Sequence, residues 1–290
     1  MNKFFRTAHQ AMILGLALPI LSGCSAGESS APEDGKNQPE PVEEASRFDP
    51  SLSDPKAIEI ARATYESMGG EEGFEKAALI TFRFVVEKDG IPSSDYEHVW
   101  DRKTGRYRLS GTQKDGKGFI AFFNVNDFSA GKPDQDVYIS GRRLDDFESA
   151  NHLNWMYGRF INDTYWILMP AKLLDPGVIL KYEGESTDSN GQIHDIILAS
   201  FQEGTGLTWQ DRYWVYINRE THLMDRWEYI LMGSPEDEPR GVATWTEWTQ
   251  HGALVLSTVR DFPDKPFRIR IADLQVSETV SEDLFKRPTK

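Results

Sequence analysis

The heptapeptide Ile80-Thr81-Phe82-Arg83-Phe84-Val85-Val86 puts Ile80, Phe82, Phe84 and Val86 at every second position. Successive side chains of an extended strand point to opposite faces, so this alternation predicts a strand half buried against a core. Just upstream the period is different. Ile58, Ala61, Tyr65 and Met68 recur at helical spacing, Asp54 stands where a cap belongs, and Pro55 suits a first turn. Gly69-Gly70 ends that run, and a short second turn follows around Phe74. The predicted helix is amphipathic, so its apolar stripe must rest on something.

Downstream of Val86, strands dominate. Residues 96–100 and 106–110 flank Asp101-Arg102-Lys103-Thr104-Gly105, and residues 213–217 and 223–231 flank Asn218-Arg219-Glu220-Thr221-His222. Both loops carry an Asp/Asn-Arg-x-Thr pattern, which reads as one turn chemistry used twice, with Gly105 suited to a left-handed residue. With the other alternating runs the strands number about ten or eleven, mostly joined by short polar turns, so the sheet is expected to be largely antiparallel. Over residues 144–165 the spacing returns to helical through Leu144, Phe147, Leu153, Met156, Tyr157, Phe160 and Ile161. Pro170 and Asp175-Pro176-Gly177 then enforce a loop. The expected fold class is α+β: a strongly curved, mostly antiparallel sheet of about 10–11 strands, forming an open half-barrel. An N-terminal helix and an inserted helix pack on one of its faces.

The first residues carry an address. Lys3 and Arg6 precede an apolar run over residues 11–21, and small residues follow. The run falls short of the roughly 20 apolar residues that span a bilayer, so it reads as a removable signal. Leu21-Ser22-Gly23-Cys24 resembles the lipobox recognised by lipoprotein signal peptidase. The expected organisation is a signal peptide over 1–23, a lipidated Cys24 with a disordered acidic tether over 24–53, and one domain over 54–290. The tether is expected from its Ser, Glu, Pro, Asp, Gly, Asn and Gln, which bury too little to offset their ordering entropy. Ser25 stands where an inner-membrane retention signal carries Asp; by resemblance to enteric sorting, this favours the periplasmic face of the outer membrane. Cys24 is the only cysteine, so no intramolecular disulfide and no cysteine-based zinc site can form.

The net charge of −14 falls to about −16 once Lys3 and Arg6 leave, which excludes nucleic acid as a partner. Beyond His9 in the signal segment, the histidines His98, His152, His194, His222 and His251 are dispersed, without metal-binding spacing, and read as surface or hairpin residues. No Gly-x-Ser-x-Gly elbow or phosphate-cradling Gly-rich loop occurs. Carboxylates cluster at Asp134 and Asp136, at Asp145, Asp146 and Glu148, and at Glu236, Asp237 and Glu238. They read respectively as a turn, a helix start and an exposed turn. No catalytic residue, metal or cofactor is expected, and nothing in the sequence sets an oligomeric state.

The aromatics point further. Trp214 and Tyr216 share one face of their strand and Tyr213, Val215 and Ile217 the other, while Leu223, Trp227, Tyr229 and Leu231 line one side of the next. A curved sheet so lined would enclose a groove. Candidate cavity residues are Phe82, Phe84, Trp100, Tyr165, Trp166, Met169, Trp214, Tyr216, Trp227 and Tyr229. The competing reading is that these rings fill the core beneath the helices.

The segments Asn162-Asp163-Thr164-Tyr165-Trp166-Ile167-Leu168-Met169-Pro170, Asp175-Pro176-Gly177-Val178 and Asp211-Arg212-Tyr213-Trp214-Val215-Tyr216 resemble an uncharacterised family of bacterial secreted proteins and lipoproteins. Its architecture is similar to that of the lipoprotein-sorting factors LolA and LolB and the sensor RseB. That resemblance implies an unclosed barrel with helices over its mouth and an apolar cavity for acyl chains. The function expected is a non-enzymatic binder or carrier of a lipid, acyl chain or lipoprotein, anchored through Cys24. The alternatives are a solid-core scaffold module and an envelope hydrolase whose acids converge only in three dimensions.

Overall fold

The computed structural model describes residues 47–288 apart from 129–133, 207, 236 and 264. Cys24, the signal segment and the tether up to residue 46 lie outside the described residues. The chain runs through α1 (Pro55–Ser67), α2 (Gly70–Lys76), β1 (Leu79–Lys88), β2 (Ile91–Asp101), β3 (Arg106–Thr112), β4 (Gly118–Asn124), β5 (Asp136–Ile139), β6 (Arg142–Arg143) and α3 (Asp146–Leu168). A 3-10 turn at Met169–Leu174 leads into β7 (Val178–Thr187), β8 (Ile193–Phe201), β9 (Arg212–Asn218), β10 (Met224–Ile230), β11 (Gly241–His251), β12 (Leu254–Asp261) and β13 (Phe267–Ser277).

The strands form one antiparallel sheet in the order β6-β5-β4-β3-β2-β1-β13-β12-β11-β10-β9-β8-β7. Its first and last strands in sequence meet at the centre, and β6 and β7 are its two open ends. Among the described residues the sheet has thirteen strands, against the ten or eleven expected; β6, two exposed arginines that carry no alternation, is one of the additional strands. The sheet curls around α3, whose Leu153, Phe160 and Ile167 share one buried cluster with strands from both halves of the sheet, giving the α+β open half-barrel expected from the sequence. Phe82 and Trp100, Leu153, Phe160 and Ile167 of α3, Val215, Trp227 and Ile269 all belong to one buried cluster on that concave side.

Local chemistry fixes the ends. Asp145 caps α3 by accepting from Glu148 N, while the Glu148 carboxylate accepts from Asp145 N, a reciprocal capping box. Gly69 and Gly70 adopt φ of 126° and 58°, which ends α1 as expected. A Cβ on Gly73 would come within 2.6 Å of the Ala253 carbonyl, so glycine lets α2 lie against the β11–β12 turn. Asp54 precedes α1, but its carboxylate does not cap the helix: it accepts from Tyr182 N (2.9 Å), a donor on the open edge of β7 that lacks a strand partner. The repeated turn chemistry is present. Asp101 Oδ1 accepts from Lys103 N and Thr104 N, and Asn218 Oδ1 accepts from Glu220 N and Thr221 N. Gly105 and His222 take the positive φ, at 81° and 56°. Among the described residues no helix is long and apolar enough to cross a membrane.

Candidate functional site

A pocket of about 740 Å³ opens at one end of the half-barrel, where β10 ends and β11 and β13 begin. Trp227 and Tyr229 of β10, Trp166 of α3, and Phe262 and Phe267 beside the β12–β13 turn supply its aromatic lining. The β10–β11 loop, including Met232, Pro235 and Pro239, forms its rim. The rings pack on one another as well as facing the space: Trp166 and Trp227 centroids are 4.7 Å apart, and Phe262 and Phe267 are 4.3 Å apart. Asp211, Glu238, Arg240 and Lys265 add charged groups to this lining, so the pocket is an open aromatic cleft with a polar margin.

Asp211, 1% exposed, and Asn162 are the buried polar residues among the pocket lining, Asp211 the deeper of the two. Its Oδ1 accepts from Met232 N (2.6 Å) and its Oδ2 from the Tyr213 hydroxyl (2.7 Å). Burial raises its pKa, against the lowering effect of those hydrogen bonds. Its role visible in the structure is to tie the loop after β10 to the start of β9, which holds the rim.

Of the ten candidate residues, Trp166, Trp227 and Tyr229 reach the pocket. Phe82, Phe84, Trp100 and Met169 are buried core residues, with Trp100 edge-on to Phe160 of α3. Half-buried Tyr165 packs against the same core, 6.0 Å from Trp227. For this middle group the core-filling alternative describes the packing. Trp214 and Tyr216 are on the opposite face of the sheet. Trp214 pairs across the strands with Glu228, while Trp227 pairs with Val215, so Trp214 and Trp227 point to different sides. Arg240 lies 3.5 Å from the Trp214 ring and Arg226 5.1 Å from the Tyr216 ring, and Tyr216 Oη donates to Glu228 (3.0 Å). Those two rings are covered by guanidinium groups and cannot line the pocket.

A second polar group lies beneath α3. His98 and Asp163 are fully buried, with His98 Nε2 3.1 Å from Asp163 Oδ2, and the Tyr107 hydroxyl is 2.6 Å from His98 Nδ1. Arg159 donates to both Asp163 oxygens and Asn162 Nδ2 donates to Oδ1 (2.8 Å). Burial pushes the pKa of His98 down, against the raising effect of Asp163, which favours the neutral ring. The expectation of a surface histidine is corrected here: His98 is in phase with Tyr96 and Trp100 on the inward face of β2 and stacks on Phe82 (4.4 Å). His194 is corrected as well, being 5% exposed and 2.9 Å from Asp225. The cluster ties β2 and β3 to α3 one turn away from the pocket residue Trp166.

Among the described residues the acidic clusters do not meet. Asp136 is held between Arg143 and Arg287, Asp145 and Glu148 cap α3, and Glu238 is at the pocket rim. Among the described residues no three His, Cys, Asp or Glu side chains are grouped as metal ligands. The pocket and the cluster beneath α3 were only partly legible: Trp166, Trp227 and Tyr229 of the pocket stood out as aromatics, whereas the hold of Asp211 on Met232 and the pairing of His98 with Asp163 join residues distant in sequence.

No protein-family model and no curated protein sequence matches the chain. Among solved structures it is similar to a DUF1329 family protein from Desulfovibrio piger, at 14% identity and TM-score 0.48, covering 81% of this chain and 98% of that one. It is similar to a domain assigned to outer membrane lipoprotein sorting from Vibrio parahaemolyticus, at 11% identity and TM-score 0.43, covering 80% and 96%. A LolA superfamily protein from Nitrosomonas europaea aligns at 7% identity and TM-score 0.44, over 80% and 97%. The open half-barrel expected from the sequence is the layout of this chain, and it stands on its own strand order.

Proposed function

We propose that this chain is a non-enzymatic binder of a lipid, an acyl chain or the acyl part of a lipoprotein, held by acylated Cys24 at the periplasmic face of the outer membrane. The observation that carries the reading is the pocket of about 740 Å³ with its floor of Trp166 and Trp227. Its size falls within the roughly 300–1,000 Å³ of small-molecule sites. Each buried methylene contributes about 0.8 kcal/mol, so ten would supply on the order of 8 kcal/mol before ordering costs. A tether of roughly 28 residues at about 5–6 Å times the square root of its length reaches about 30 Å, which lets the pocket work close to a membrane surface.

The test is displacement of a fluorescent apolar probe, N-phenylnaphthylamine, from the chain beginning at Ser25, which retains every described residue. Probe uptake that palmitate displaces, and that Trp227→Glu abolishes in a folded variant, is the expected result. Absence of uptake by folded protein overturns the reading. It would favour the solid-core interaction module, to which the packed core around Phe82, Phe84 and Trp100 already lends weight.

A further inference from the structure

Beside the pocket lining lies a buried charge that has no counter-charge among the described residues. Arg260 of β12 is fully buried, and it stands opposite Trp245 on β11 and Ile269 on β13, both core residues of the concave face. Its Cζ lies 3.9 Å from the Trp245 ring, and its Nη1 donates to the Ser257 carbonyl (2.8 Å). Among the described residues no acceptor serves its Nε or Nη2, and no carboxylate pairs with it. Burial pulls its pKa down to about 9, so it stays charged at neutral pH. The chain carries 46 Asp and Glu against 32 Lys and Arg, yet among the described residues no carboxylate pairs with Arg260, and burial is the one cause that shifts its pKa.

The neighbouring rings share the deficit. Trp245 and Trp227 centroids are 6.0 Å apart, and the indole Nε1 of each is buried with no acceptor among the described residues. Trp227 also lines the pocket, as does Phe262, two residues beyond Arg260 in sequence. Four buried donor nitrogens, two on Arg260 and one on each indole, therefore have no acceptor among the described residues. Leaving buried donors unserved is costly, and an unpaired buried charge more so. A molecule carrying one negative charge on acceptor oxygens would answer the guanidinium, which has the larger deficit.

We propose that the pocket takes a long-chain carboxylate, a fatty acid, whose head group passes the Trp166–Trp227 floor to reach Arg260. Its tail occupies the aromatic pocket above. This rests on the pocket being an acyl-chain site. A carboxylate matches the guanidinium fork with two planar oxygens. Its single charge balances one arginine, whereas a phosphate monoester brings about −1.5 to −2. Passage requires the Trp166 or Trp227 ring to turn aside, so binding changes tryptophan emission.

The experiment titrates the chain from Ser25 with palmitate and with hexadecanol, the same chain with an uncharged head, following tryptophan fluorescence. Expected is palmitate binding at least about tenfold tighter than hexadecanol, a difference that Arg260→Met removes and Arg260→Lys keeps in part. Arg260→Met is also expected to raise the melting temperature of the ligand-free protein, because it exchanges an unpaired buried charge for an apolar side chain of similar length. That rise shows that the variant is folded. Equal affinity of wild type for the two ligands overturns the role of Arg260 while leaving an acyl-chain site intact, and so does a palmitate preference that survives in Arg260→Met. Failure of both ligands to bind folded wild type overturns the acyl-chain site and this inference together.

Discussion

Replacing Asp163 by Asn keeps the shape of the side chain and removes the charge on which the cluster beneath α3 is centred. Asp163 is fully buried and receives Arg159 at both oxygens and Asn162 at one, with His98 3.1 Å away. Losing one member of a buried ion pair costs about 3–5 kcal/mol when the remaining charge is stranded. Arg159 is 18% exposed and lies 5.1 Å from the Tyr96 ring, so it is only partly stranded, which places the loss near 3 kcal/mol. For a domain of this size each kcal/mol lowers the melting temperature by about 2–4 °C, giving a drop of about 6–12 °C. Calorimetry and urea denaturation measure it, and the urea slope should stay unchanged if only the native state is weakened. Because Asn162 and Trp166 of the same helix line the pocket, the variant should also take up apolar probe more weakly at temperatures where it remains folded. A stability change below about 0.5 kcal/mol, the size of an ordinary surface substitution, would refute the assignment of this cluster as the anchor of α3.

His98 makes stability depend on pH. Its pKa is lowered in the fold, so below about 6.5 the unfolded chain takes up a proton that the folded chain refuses. Stability from this group is present above about 6.5 and is lost as pH falls from there towards the folded pKa, by up to about 1.4 kcal/mol per pH unit. Urea denaturation at pH 7.5 and 5.5 reads the loss, which His98→Gln should reduce. Trp227→Ala should cost about 3–5 kcal/mol and weaken palmitate binding, whereas Trp214→Ala, on the outer face under Arg240, should leave palmitate binding unchanged; calorimetric titration of both variants separates the faces. Labelled palmitate supplied to cells should enter the wild-type chain and not Cys24→Ser, and equal labelling would remove the lipobox assignment.

The fold was legible where periodicity carried it. The alternation from Ile80 to Val86, the helical spacing of Ile58 to Met68 ended by two glycines, and the return to helical spacing after Leu144 each correspond to an element of the structure. The face of β9 that points inward was not legible. Its two sides are both aromatic and apolar, and the outer one is covered by Arg212 and Arg240 stacked on Trp214, an arrangement that no local pattern announces. Pairing with β10 resolves it, and pairing is a property of the sheet. His98 lay in an inward phase between Tyr96 and Trp100, but a histidine there is tolerable only because Asp163 and Tyr107 come from other elements. Arg260 reads as an ordinary polar residue late in a strand, and only burial on the concave face makes it anomalous.

The most direct measurement is native mass spectrometry of the chain from Ser25, purified from the envelope compartment without detergent. The acyl-binding account predicts an added mass in the range of a lipid or fatty acid, lost on solvent extraction and absent from Trp227→Glu. A protein mass with nothing added, under conditions that preserve the cargo of a known lipid carrier and with no palmitate taken up afterwards, would contradict it.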